Sequence, residues 1–320
     1  MDILQKIEAL GIVPVVKINR AEQAVPLCKA LCAGGLPVAE ITFRTECAAQ
    51  AIQAARAALP DMLLGAGTVL TTGQVQSAME AGAQFIVTPG FNPEVVDFCL
   101  EKGIAVFPGC PTTSDMEQAI ARGLKVVKFF PAEAMGGLKF IKAVSAPYGQ
   151  LKFMPTGGVN ESNLIDYLAF DKVVACGGSW MVPGDLVEKG AFGEIERLTR
   201  SAVQKMLGFE IKHVGINTES PAAGLAAARR FETLFGWKLT GETEGGVFCD
   251  RHIEVIKGRG RGEMGHIGVA CNFPHRAKAY LEALGAEFIP ESLSYDAKGK
   301  LTIGYLKETI AGFAIHIASK

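Results

Sequence analysis

Eight short apolar runs, each followed by a stretch with helical apolar spacing, fill about the first 200 residues of this chain. The runs are GIVPVVK, PVAEITF, LLGAGTV, FIVTPG, IAVFPG, VVKFFPA, KFMPTGG and KVVACGGS, with segments such as AEQAVPLCKALCAGG and TECAAQAIQAARAAL between them. Short runs that are apolar throughout suit parallel strands buried on both faces, and parallel strands need helical crossovers. Eight strand–helix units are the count of a closed (β/α)8 TIM barrel, so an α/β barrel is expected, with an open doubly wound sheet as the alternative. In a barrel the C-terminal strand ends face the active site, so the chemistry should be sought there.

One of those ends carries a lysine. Lys128 stands between Val126, Val127 and Phe129, Phe130, in a run closed by Pro131. An ammonium ion is costly to bury, and a neutral amine is a nucleophile toward carbonyl carbon. Lys17 ends the first run and is the rival nucleophile, but it sits against the polar INR. Glu40, flanked by Ala39 and Ile41, is a carboxylate suited to moving protons, although a buried salt bridge to Arg44 or Lys128 would read the same way. The other strand ends offer Arg44, Thr68, Pro89, the TGG of Thr156, Gly157 and Gly158, and the GGS of Gly177, Gly178 and Ser179.

The last two groups follow the seventh and eighth runs, where barrels commonly hold phosphate on backbone N–H groups; their other reading is tight strand-to-helix turns. All five histidines lie beyond residue 210, so the proton carrier of the first region must be a carboxylate, a lysine or water. Amine, carboxylate, anion-binding arginine and phosphate turn together point to imine formation with a 2-keto acid. Such a site cleaves a carbon–carbon bond without a metal.

Composition narrows the partners. A net charge of −1 with 49% hydrophobic residues points to neither a nucleic acid nor an acidic membrane surface. No run approaches the ~20 apolar residues of a membrane helix and no signal pattern opens the chain, so a cytoplasmic protein is expected. The eight cysteines include no CxxC pair, and Cys110, Cys176 and Cys271 lie in apolar strand-like context, as buried reduced thiols would.

The motifs EITFRTECA, GAGTVL, TPGFNPEVV, KFFPAEAMGG, PTGGV and GGSWMVP, in that order, resemble the 2-keto-3-deoxy-6-phosphogluconate (KDPG) and 4-hydroxy-2-oxoglutarate (KHG) aldolases of the Entner–Doudoroff pathway, from about residue 5 to 205. The resemblance implies that Lys128 forms a Schiff base and Glu40 moves protons. It implies that Arg44 and Thr68 hold the pyruvate carboxylate, that Pro89 and Phe130 line the pocket, and that the Gly and Ser positions of TGG and GGS bind phosphate. A sister family acting on the galactonate analogue lacks FRT after the glutamate, which favours the gluconate series. The implied partners are a phosphorylated keto acid and pyruvate, with no cofactor beyond the lysine imine. A homo-oligomer, a trimer, is also implied. A barrel that only binds its ligand, with activity in the remainder of the chain, is the alternative.

After RLTRSAVQKMLG the repeat stops, dividing the chain into 1–207 and 208–320. Two similar halves follow: HVGI, GLAAARRFETLFGW and HIEVIKG, then HIGV, HRAKAYLEALGAEF and FAIHIAS. Each reads as strand, helix and several strands, a smaller α+β domain of two βαβββ modules. From about 209 to 319 the pattern resembles the vicinal oxygen chelate superfamily, which includes glyoxalase I. By that likeness metal ligands fall on His213, Glu254, His266 and His316, a set for zinc, nickel, iron(II) or manganese. His316 departs from the carboxylate usual at the last position, which puts glyoxalase chemistry in doubt.

Overall fold

Every one of the eight apolar runs contains a strand in the computed structural model, which describes residues 2–320. They are β1 (Ile12–Val16), β2 (Val38–Thr42), β3 (Leu63–Gly67), β4 (Phe85–Val87), β5 (Ala105–Phe107), β6 (Val126–Phe129), β7 (Lys152–Pro155) and β8 (Cys176–Gly178). All their pairings are parallel, and β2, β3, β4, β6 and β8 are buried at every position. The intervening helices turn one stripe inward. In Ala48–Ala58 the buried residues are Ala48, Ala51, Ile52 and Ala55, at i, i+3, i+4 and i+7, and small side chains there let the helix lie close to the strands.

The expected continuous eight-strand ladder is not what the hydrogen bonds show. Six strands form one curled sheet in the order β5-β4-β3-β2-β1-β8, and β6 and β7 pair separately. The two groups meet through isolated bridges, Gly109 with Lys128 on one side, Phe153 with Val173 and Thr156 with Gly177 on the other. Prolines explain both interruptions. Pro108 follows β5 directly and Pro155 ends β7, and neither can donate a ladder hydrogen bond. Pro108 still accepts from the Lys128 N–H at 2.9 Å, and Cys110 N–H donates to the Lys128 carbonyl at 2.8 Å, so β6 is held beside β5.

The chain parts between Met206 and Leu207 into two compact units. The second holds β9 (Glu210–Ile216), a helix over Pro221–Phe235, β10 (Leu239–Thr240), β11 (Gly246–Cys249) and β12 (Ile253–Ile256). It then repeats the scheme with β13 (Gly265–Cys271), a helix over Pro274–Ala283, β14 (Ser294–Tyr295), β15 (Leu301–Ile310) and β16 (Phe313–Ser319). One sheet in the order β10-β11-β12-β9-β13-β16-β15-β14 carries both halves, joined by the antiparallel pair β9–β13.

Cys110, Cys176 and Cys271 are free and buried, and burial pushes the Cys271 thiol up to about 11. No described helix is long and apolar enough to cross a membrane.

Candidate active site

Lys128 projects from β6 with only 5% of its surface exposed, and Glu40 projects from β2 with none. They meet: Lys128 Nζ lies 3.3 Å from Glu40 Oε1. The ring of Phe130 lies 5.3 Å from the same nitrogen. Removing both charges from water costs more than an isolated pair usually returns, so stability is a weak reason for placing them here. The second carboxylate oxygen, Glu40 Oε2, is buried with no partner among the described residues.

A cavity of about 210 Å³ opens onto the pair. Arg44, Thr68, Pro89, Phe130, Thr156, Gly157, Gly158, Gly178 and Ser179 line it with Lys128 and Glu40, so strand ends distant in sequence share one mouth. Arg44 Nε donates to Thr42 Oγ1 at 3.2 Å, and that hydroxyl donates to the Val16 carbonyl at 3.0 Å, which anchors the guanidinium at the rim. Thr68 adopts φ +56°, sparsely populated for a β-branched residue, at the end of β3. Lys17 is exposed and lies outside the lining, as its polar neighbours indicated.

Gly177 departs from the expectation. It does not line the cavity but stands behind Thr156, where a β-carbon would come within 2.3 Å of Oγ1. Its small size seats the threonine. Sequence reasoning also missed Val15, Thr42 and Val159 in the lining, whose only signal was their place at or near strand ends.

The TGG turn needs its glycines: Gly157 and Gly158 have φ +94° and +85°. Glu133, which closes the KFFPAE run that begins at Lys128, braces this turn, a role that its exposed position in the sequence pattern did not mark. Its N–H donates to the Gly157 carbonyl at 3.0 Å, and a β-carbon at Gly158 would stand 2.5 Å from Glu133 Cγ. The Glu133 carboxylate in turn accepts from the buried Tyr167 hydroxyl. Burial and this hydrogen bond both push the phenol up from its ordinary value.

In the second unit, four side chains from four strands converge. His213 Nε2 lies 2.9 Å from His266 Nε2 and 3.3 Å from His316 Nε2, and Glu254 Oε2 lies 3.1 Å from His266 Nε2 and 3.5 Å from His213 Nε2. Register makes this possible, since His213 pairs with Gly268, His266 with Gly215, and Gly268 with His316. Each half's glycine faces the other half's histidine. Burial, then the neighbouring His213 and His266, push His316 down to about 4, and burial also lowers His213. The hydrogen bond with His266 holds the Glu254 carboxyl below its ordinary value.

Residues 3–198 match the family described as KDPG and KHG aldolase. The chain is 48% identical over 202 residues to the 2-dehydro-3-deoxy-phosphogluconate aldolase of Treponema pallidum, covering 63% of this chain and 96% of that one. It is 45% identical over 193 residues to the KHG/KDPG aldolase of Escherichia coli K12, covering 60% and 91%. Among solved structures it is similar to the KDPG aldolase of Legionella pneumophila, with pyruvate captured as a covalent carbinolamine, at 37% identity and TM-score 0.61, covering 63% and 98%.

Proposed function

The chain belongs to the KDPG and KHG aldolase family, and from that membership we propose that its first unit is a Schiff-base lyase cleaving 2-keto-3-deoxy-6-phosphogluconate to pyruvate and glyceraldehyde 3-phosphate, and accepting 4-hydroxy-2-oxoglutarate as well. The observation that carries the reading is the buried Lys128–Glu40 contact at 3.3 Å on the cavity floor. With its proton passed to Glu40, Lys128 attacks the C2 ketone; Glu40 gives that proton back to the carbinolamine hydroxyl, which leaves as water, and the protonated imine becomes the electron sink. Glu40, directly or through a water, takes the C4 hydroxyl proton; the C3–C4 bond breaks, its electron pair passing into the enamine as the aldehyde departs. Glu40 returns the proton to the enamine carbon, and water frees pyruvate from Lys128.

Arg44 and Thr68 at the rim are the proposed carboxylate holders, Pro89 and Phe130 the apolar walls, and the TGG and GGS turns the phosphate site. We read the isolated bridges beside β6 and β7 as closing the eight strands into a (β/α)8 barrel, and a trimer as the assembly. A barrel that only binds its ligand is less well supported, because a buried amine and a buried carboxylate meet at the cavity. Incubation with pyruvate and reduction with borohydride tests this. A single reduced adduct on Lys128 is expected, absent in Lys128→Ala; no adduct, or one on Lys17, overturns the assignment.

For the second unit the convergence of His213, Glu254, His266 and His316 favours a divalent-metal site of the vicinal oxygen chelate type. Ligands about 2.0–2.1 Å from a tetrahedral ion stand roughly 3.3 Å apart, and the contacts that His213 and His266 make within the cluster, at 2.9, 3.1, 3.3 and 3.5 Å, lie about that value. Such an ion supplies Lewis-acid polarisation of a chelated oxygen pair. The chain's own part would be to hold three imidazoles whose ligand atoms lie within 4.8 Å of one another, with the Glu254 carboxylate against His213 and His266. Elemental analysis of untagged protein should find about one divalent ion per chain, lost in a His213→Ala, His266→Ala double variant; protein that takes up none of zinc, nickel, iron or manganese removes this reading alone.

A further inference from the structure

Beside the four-residue cluster lies a cation that neither proposed site uses. Tyr305 pairs across the β15–β16 ladder with His316, their rings 4.7 Å apart, and its ring lies 6.2 Å from that of His266. The Arg261 guanidinium sits 4.9 Å from the same Tyr305 ring. No carboxylate among the described residues pairs with Arg261, whereas Lys257 is neutralised by Glu242 at 2.7 Å.

The loop that presents Arg261 is fixed from both sides. Asn217 Nδ2 donates to the Gly262 carbonyl at 2.9 Å, and Gly260 N–H donates to Asn217 Oδ1 at 3.0 Å. Gly262 has φ +75°, and a β-carbon there would lie 2.2 Å from the Gly265 carbonyl oxygen, so the turn admits only glycine. An exposed arginine over the ring of Tyr305, which itself stands against His316, and with no carboxylate partner among the described residues, is arranged to receive a negative group.

We infer that the second unit binds a small acid with a chelating oxygen pair at one end and a second anionic group at the other, Arg261 receiving that second group across the face of Tyr305. This rests on the metal reading of the cluster. The distal group is a carboxylate or a phosphate, and the probes separate the two.

The test uses the full-length chain loaded with cobalt(II), whose visible absorption reports on the cluster and not on the barrel. Lactate, 2-oxoglutarate and 3-phosphoglycerate are titrated in turn. At least one of the two-ended probes should bind on the order of tenfold more tightly than lactate, and whichever does identifies the distal group. Arg261→Gln should keep the cobalt band and lose that preference, and Asn217→Ala should weaken it. Equal binding of all three probes, or a preference that survives Arg261→Gln, overturns the inference and leaves the metal reading intact. Failure to develop a cobalt band removes both.

Discussion

Gly67 lies so close to Glu40 that a β-carbon at position 67 would stand 2.2 Å from the carboxylate Oε1 and 2.5 Å from Cγ. The glycine is therefore part of how Glu40 reaches Lys128. Gly67→Ala should leave the lysine free to trap pyruvate with borohydride while lowering turnover about 10²-fold, the scale on which small misplacements of a catalytic group are felt. Turnover at the wild-type rate in a folded Gly67→Ala protein would show that the Glu40 position does not matter to the reaction.

Tyr167 and Glu133 brace the TGG turn without entering the cavity. Tyr167→Phe removes a hydrogen bond to a carboxylate and should raise KM for the phosphorylated substrate by about tenfold, with a smaller effect on 4-hydroxy-2-oxoglutarate. Steady-state assays on both substrates check this; equal effects on the two would count against a phosphate role for the turn.

At Gly268 a β-carbon would meet His213 Cε1 at 2.7 Å and His316 Nε2 at 2.8 Å. Those atoms belong to the buried His213 and His316 rings, which must shift to admit a methyl group, so Gly268→Ala should separate the imidazoles. Metal uptake should fall by at least about tenfold, measured by calorimetry with zinc, while circular dichroism stays unchanged. Full zinc affinity in that variant would contradict the proposed ligand set.

In the metal-free protein, His316 should confer sensitivity to acid. Its folded value, about 4, lies below its ordinary 6.5, so the unfolded chain binds more protons between those limits. The stability it contributes is complete above about pH 6.5 and is lost as pH falls toward 4. His213 is shifted the same way, and Glu254, held below its ordinary value, adds a further loss at lower pH. Urea midpoints between about pH 7.5 and 4.5 should fall for wild type and vary less for His316→Asn; parallel curves would count against a neutral buried imidazole.

The eight strands, the burial of Lys128 and the second unit's two-fold repeat were legible in the chain, because apolar runs, helical spacing and a repeated His-x-Gly are local patterns that follow from backbone geometry. Which side chains touch was legible only as alternatives, with Arg44 and Lys128 both open to Glu40. Glu40 lies 88 positions from Lys128, and only the curl of the sheet brings them within 3.3 Å. Nothing local marks Gly177 as the seat of Thr156 rather than a lining residue, or Gly67 as the space for Glu40, since a glycine reads alike in a turn and beneath a side chain. The interrupted ladder at β6 and β7 likewise arose from where Pro108 and Pro155 fall relative to neighbouring strands. Strand register decided the histidine cluster: one residue of slip between β9 and β13 would turn His213 or His266 to the opposite face, and pairing across the sheet is set by tertiary packing.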